Sequence, residues 1–232
     1  MSKLNSDRRS CVIFVAFCVA AAAMPETVGA ADGANEPEAG FTSLFNGRNL
    51  DGWVGDVEGY AVRDGAIVCL QAKGGNLFAA KEYANFILRF EVKIPPGGNN
   101  GIAIRSPQEK GNVAYSGTEI QVLDDPHPMY ANIKPYQHHG SVYGVVAATP
   151  GALKPAGEWN TQQIAVEGRR VKVTLNGRTI VDADLDEATR NGTLDEKPHP
   201  GLSRTSGYLG FLGHGSPVEF RNVRIKELPA GR

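Results

Sequence analysis

Cysteine is scarce, with three in 232 residues. Cys11 and Cys18 share one short apolar run near the N-terminus, so Cys69 is the only thiol in the rest of the chain. No internal disulfide can staple that remainder. Cys69 lies in the strand-like run Ala66-Ile67-Val68-Cys69-Leu70 with no histidine or basic motif beside it. It reads as a small buried hydrophobe rather than a nucleophile. An excess of positive charge is missing too: 24 basic residues face 25 acidic ones, for a net charge of −1. Without a basic stripe or polybasic cluster, nucleic acid and anionic membrane surfaces are excluded as partners. The five histidines show neither His-x-His nor His-Glu-x-x-His spacing. His138 and His139 are adjacent and point opposite ways in an extended chain. Ligation at long range by His127, His138 and His214 stays open, so a divalent metal ion is the one cofactor left in consideration.

No apolar run is long enough to span a membrane as a helix, which takes ~20 residues. The run Cys11–Ala23 has thirteen, follows Lys3, Arg8 and Arg9, and precedes the small-residue pattern Val28-Gly29-Ala30. This is the pattern of a signal peptide over residues 1–30, giving an exported chain, periplasmic or extracellular, with no stable membrane anchor after cleavage. Cutting there leaves 202 residues carrying a net charge of about −2, enough for one well-buried domain. Residues 31–40 are small, acidic and proline-containing, as in a flexible linker. The domain is expected over 41–228, with a tail over 229–232.

What the chain has in quantity is alternation. Phe86, Leu88, Phe90, Val92 and Ile94 interleave with Ile87, Arg89, Glu91 and Lys93, and Pro95-Pro96-Gly97-Gly98 ends the strand. Ile102 and Ile104, Ile120 and Val122, and Val171, Val173 and Leu175 repeat the pattern, the last leading through Asn176-Gly177 into a hairpin. Only Asp184–Arg190 reads as helical, with Asp184 and Glu187 spaced as a capping box. The fold class is therefore all-β, a two-sheet antiparallel jelly-roll sandwich with one short helix.

If Ile102, Ile104, Ile120 and Val122 face the core, Arg105, Glu119 and Gln121 face outward together. The loop Asp124–Gly140 holds three prolines, two tyrosines and three histidines, a stiff segment with flat faces suited to a sugar ring. Trp53 and Trp159 are either stacking platforms or core residues. Near the C-terminus, Gly207–Lys226 reads as two strands joined by Gly213-His214-Gly215, a histidine that its glycines make easy to expose. The stretch Glu119-Ile120-Gln121-Val122-Leu123-Asp124 resembles the catalytic strand of laminarinase- and agarase-type glycosidases. Gln121 cannot ionise, however, and alternation turns Asp124 away from Glu119. A retaining mechanism needs two carboxyl groups about 5–5.5 Å apart.

Five blocks in order, Phe41–Trp53, Asn100–Arg105, Glu119–Asp124, Lys154–Asn160 and Gly213-His214-Gly215 with Phe220–Ile225, resemble the 3-keto-disaccharide hydrolase domain family. The resemblance implies a concanavalin A-like jelly roll and cleavage of glycosides first oxidised at carbon 3, with a small oligosaccharide or glycoside as substrate. A ketone there acidifies the hydrogen on carbon 2, so one base, one acid and a group polarising the ketone suffice. Glu119 and His214 are the expected acid–base pair, in either order, with Arg105 and Gln121 polarising and positioning. Asn100, Asp124 and Trp159 within the matched blocks, and Lys134, Tyr136, His138 and His139 in the loop, are the expected substrate contacts. A sugar-binding module without catalysis and a conventional glycoside hydrolase are the competing readings.

Overall fold

A computed structural model describes residues 39–229. The expected leader lies outside these residues, as do Cys11 and Cys18, most of the linker, and the tail beyond Pro229. The strands are β1 (Thr42–Ser43), β2 (Trp53–Gly55), β3 (Tyr60–Arg63), β4 (Ala66–Cys69), β5 (Gly75–Tyr83), β6 (Phe86–Lys93) and β7 (Asn99–Ser106). After a single helical turn, α1 (Val113–Ser116), come β8 (Thr118–Leu123), β9 (Trp159–Glu167), β10 (Arg170–Leu175) and β11 (Arg178–Asp184). Another helical turn, α2 (Leu185–Ala188), precedes β12 (Gly207–Gly213) and β13 (Glu219–Glu227).

Two antiparallel sheets result. The larger has the order β11-β10-β9-β6-β13-β4-β3, with β1 also on β13; the smaller has the order β2-β5-β12-β7-β8. Alternation decides which side of each strand is buried. Along β6, Phe86, Leu88, Phe90 and Val92 are buried while the residues between them are half-exposed. The expected Asn176-Gly177 hairpin joins β10 to β11, with φ of +49° and +81° at its two central residues. Between the sheets, Trp53 stacks on Phe211 (5.1 Å) and Phe211 on Phe220 (3.9 Å), so one aromatic column ties β2 and β12 to β13. Each such ring is worth about 1.5–3 kcal/mol in burial. Trp53 is thus a core residue, and Cys69 is fully buried in the same core.

Two features differ from the sequence-based expectation. Among the described residues there are two α-helical turns rather than one short helix. The unforeseen one, α1, has four residues, too few to show periodicity, and Asn112 caps it through Oδ1 accepting from Ala114 N (3.0 Å). The foreseen one is shorter than expected: Asp184 caps it by accepting from Asp186 N and Glu187 N, and Thr189 ends it. The last two strands, β12 and β13, lie in opposite sheets. The His214 turn is therefore a crossing between layers.

Candidate active site

Strand β8 is buried along its whole length. Ile120 and Val122 enter the core between the sheets. Glu119 and Gln121 face the other way, and what covers them there is α1 and the long segment after β8. That segment returns as an added edge: Gly140 N donates to Gln121 O (2.8 Å), Gln121 N to Ser141 O (2.9 Å) and Tyr143 N to Glu119 O (2.9 Å). Tyr143 is thereby set beside Glu119.

A pocket of about 180 Å³ opens on this face, lined by Asn99, Asn112, Ala114, Glu119, Gln121, Leu123, Tyr130, Ile133, Gln137, Tyr143 and His214. The expected residues Glu119, Gln121 and His214 are brought together in it. Glu119 is 6 % exposed, and its carboxyl accepts no hydrogen bond among the described residues. Burial, with no cation near enough to offset it, pushes its pKa from 4.5 up to about 7. The carboxyl rests over Gly101: a Cβ there would lie 2.0 Å from Glu119 Oε1. Gln121 uses Oε1 to accept from Val122 N (3.2 Å), which leaves its amide N–H groups for a ligand. Asn99 Oδ1 is buried with no hydrogen-bond partner.

His214 has an exposed edge, yet enough protein surrounds its ring for burial to hold its pKa below 6.5. The pairs Asn100↔Gly213 and Asn99↔Leu123 put the His214 turn at the end of β7 where Asn99 stands. From Gly101, over which the Glu119 carboxyl lies, that turn is two residues along and one strand across, roughly 8 Å by standard spacings. The acid and the imidazole thus line one pocket. Gly213 packs against Tyr60 and Cys69, where a Cβ would come within 2.8 Å of both side chains, so glycine is required for the turn to approach this closely.

The other expected site residues are placed elsewhere. Arg105 has φ +47°, at a bulge where the β7–β12 register slips. Its guanidinium turns away from Glu119 to donate to Ala84 O (2.9 Å), Gly168 O (2.7 Å) and Asn85 Oδ1 (3.0 Å), making it a tie between loops. Asn100 is fully buried on the core side, its Oδ1 accepting from Gly101 N (2.9 Å). Asp124 closes the Pro95–Gly98 turn by accepting from Gly97 N (2.8 Å). His139 is a core histidine that accepts from Leu123 N at Nδ1 (3.2 Å) and meets Gln162 Oε1 at Nε2 (3.0 Å). Burial lowers its pKa to about 4.

His138 pairs with Asp125 (2.9 Å), Lys134 is exposed, and Tyr136 packs edge-on behind Tyr143 at 5.9 Å. Trp159 belongs to the larger sheet, where the Arg221 guanidinium covers its ring at 4.0 Å. Among the described residues no group of three or more His, Cys, Asp or Glu side chains is arranged to hold a metal ion. The expectation of a divalent cation therefore finds no ligand set of that kind. Sequence reasoning missed Asn99, Gly101, Asn112, Tyr130, Gln137 and Tyr143. Asn99 was within reach, because the alternation that buries Ile102 also buries Asn100 and turns Asn99 and Gly101 outward.

The smaller sheet of this β-sandwich thus carries a polar pocket with one acid, one imidazole and several amides. Residues 40–226 match the 3-keto-alpha-glucoside-1,2-lyase-like domain, and the chain belongs to that family. A 3-keto-disaccharide hydrolase of Bacteroides thetaiotaomicron is 29 % identical over 229 residues, covering 82 % of this chain and 79 % of that protein. Two candidate glycosyl hydrolases of Parabacteroides distasonis share the fold. One has TM-score 0.72 at 28 % identity, covering 81 % of this chain and 99 % of the other. The second has TM-score 0.70 at 31 % identity, covering 82 % and 94 %.

Proposed function

We propose that the chain is an exported enzyme that cleaves 3-keto-glycosides by proton abstraction from carbon 2, expulsion of the group on carbon 1 and hydration of the product. The observation that carries this reading is the pairing of Glu119 with His214 in one pocket without a second free carboxylate. Asp124, which would supply one, is bound to Gly97 N (2.8 Å), and position 121 is an amide. Double displacement on an unoxidised sugar has no nucleophile here, whereas elimination next to a ketone needs only an acid and a base. The pocket, about 180 Å³, is smaller than the roughly 300–1,000 Å³ that holds drug-sized ligands. It suits one sugar ring, with the leaving group outside.

The environments of the two groups assign their roles. Burial raises Glu119 to about 7 and lowers the His214 imidazole from its ordinary value, so near neutrality about half of the carboxyls still carry a proton while the imidazole is favoured in its neutral form. His214 is then the base and Glu119 the acid. The imidazole takes the carbon 2 proton, and that bonding pair forms an enolate with carbon 3. The enolate reforms the ketone and expels the carbon 1 oxygen, which takes the Glu119 proton, leaving a carbon 1–carbon 2 double bond. Water adds with its hydroxyl at carbon 1, giving its proton to Glu119, while His214 returns a proton to carbon 2. Atoms and charges balance as a net hydrolysis. Gln121 and Asn99 hold ring hydroxyls.

Proton NMR in deuterated water tests this on the mature chain with a 3-keto-glucoside and its unoxidised counterpart, with and without chelator. The expected result is release of aglycone from the keto substrate alone, with deuterium at carbon 2. Release without label would overturn the elimination, and saturable binding without release would favour the sugar-binding module.

A further inference from the structure

The elimination places negative charge on the carbon 3 oxygen, and Arg105, expected to meet it, is engaged elsewhere. A preorganised donor at that oxygen is commonly the largest single contribution to such a reaction. Tyr143 has the geometry for it. Its backbone N–H to Glu119 O (2.9 Å) fixes it opposite the acid, and its side chain lines the same pocket. Side chains opposite one another on paired strands stand about 4.5–5.5 Å apart at Cβ, so acid and phenol reach neighbouring substrate atoms.

The direction of the phenol's own proton follows from its partners. Gln137 Oε1 accepts from Lys134 N (2.9 Å), which orients the amide so that Nε2 donates to Tyr143 Oη (3.4 Å). With that lone pair engaged, Oη–H has no acceptor among the described residues and is left for a ligand. Tyr136, edge-on at 5.9 Å, holds the ring from behind.

We propose that Tyr143 is a catalytic residue whose phenolic O–H donates to the carbon 3 oxygen as the enolate forms. This rests on the elimination reading above. Gln121 also offers a free N–H, but a phenol is the stronger acid and can follow the charge as it grows.

The test is Tyr143→Phe in the full mature chain with a 3-keto-glucoside. The expected result is a kcat lower on the order of 10²–10³-fold, with KM within about threefold and carbon 2 deuterium exchange falling in step. A kcat within about threefold of wild type, with folding intact, would overturn the proposal. Should the phenylalanine variant fold poorly, 3,5-difluorotyrosine at position 143 keeps the shape and makes the phenol more acidic. A catalytic Tyr143 then steepens the alkaline fall of kcat beyond the tenfold per pH unit that Glu119 alone sets, and an unchanged slope overturns the role. If the wild type turns over no keto substrate, the elimination reading fails and takes the proposal with it. Wild-type turnover that is undiminished in Tyr143→Phe removes Tyr143 alone.

Discussion

Replacing Glu119 with glutamine measures what it costs to bury a carboxyl without a partner. The native pKa is about 7 against 4.5 when unperturbed, so the folded state holds this proton more tightly than the unfolded state does. The stabilisation from that proton is complete below pH 4.5 and is lost as pH rises through 7. At about 1.4 kcal/mol per pH unit, the full loss is about 3 kcal/mol. Glutamine has the same shape and does not titrate. Wild type and Glu119→Gln should therefore be equally stable near pH 4, and the variant more stable by about 3 kcal/mol at pH 9. For a domain of this size that is a Tm gain of roughly 6–12 °C. His139 titrates in both proteins and cancels from the difference. Thermal and urea melts of both chains at pH 5, 7 and 9, followed by near-UV circular dichroism, supply the comparison. Activity should move the other way, falling on the order of 10²–10⁴-fold, and less for a nitrophenyl leaving group that departs without a proton. A stability difference that does not change with pH, or a variant weaker than wild type at pH 9, would refute the account of Glu119 as an unpaired buried acid.

The remaining expectations concern the same pocket and its supports. In a pH series, kcat/KM should form a bell, its acid limb set by His214, which burial holds below the ordinary imidazole value, and its alkaline limb falling tenfold per pH unit above about 7 as Glu119 ionises; a plateau extending to pH 9 would contradict the assignment. Gly101→Ala would put a Cβ 2.0 Å from Glu119 Oε1, so kcat should drop by at least an order of magnitude, roughly, from a displacement of about an ångström, with Tm nearly unchanged. Kinetics and melting of that single variant decide the matter. Arg105→Met leaves the Ala84 and Gly168 carbonyls without their donor and should lower stability by about 2–4 kcal/mol. Well below its Tm it should keep kcat within about threefold, and a selective loss of kcat would return Arg105 to the site.

Much of the fold was legible because alternation has a direct physical cause. A strand between core and solvent must change polarity every residue, and β6 and β10 do so, while β7 and β8 are covered on both faces. The turn residues that ended β6 and β10, Pro95–Gly98 and Asn176-Gly177, act through backbone angles that read the same in sequence and structure. Sheet assignment is a different kind of fact. Nothing in Gly207–Lys226 distinguishes a hairpin from a crossing, because both need glycines and both present alternating strands. The difference lies in partners more than a hundred residues away, such as Phe211 pairing with Leu77 and Phe220 with Val92. Helix α1 failed to register for a simpler reason, since one turn has no period.

In the candidate site, alternation brought Glu119 and Gln121 to one face and turned Asp124 away, and it faltered where the backbone leaves the strand pattern. Arg105 has the right parity to stand beside Glu119, yet a φ of +47° sends it across to Ala84, Asn85 and Gly168. Bulges carry no dependable residue signature unless glycine occupies them. The loop histidines misled in another way. His138 and His139 look like ligands in a polar, proline-rich segment, but the segment is pulled onto the β8 edge by its backbone bonds to Gln121 and Glu119. That pairing buries His139 in the core and brings Tyr143, which no motif marks, to the pocket. Chemistry reaches this site through the backbone register of an added edge strand. The test of that view is whether Tyr143, placed by register alone, matters as much as Glu119, which the motif announces.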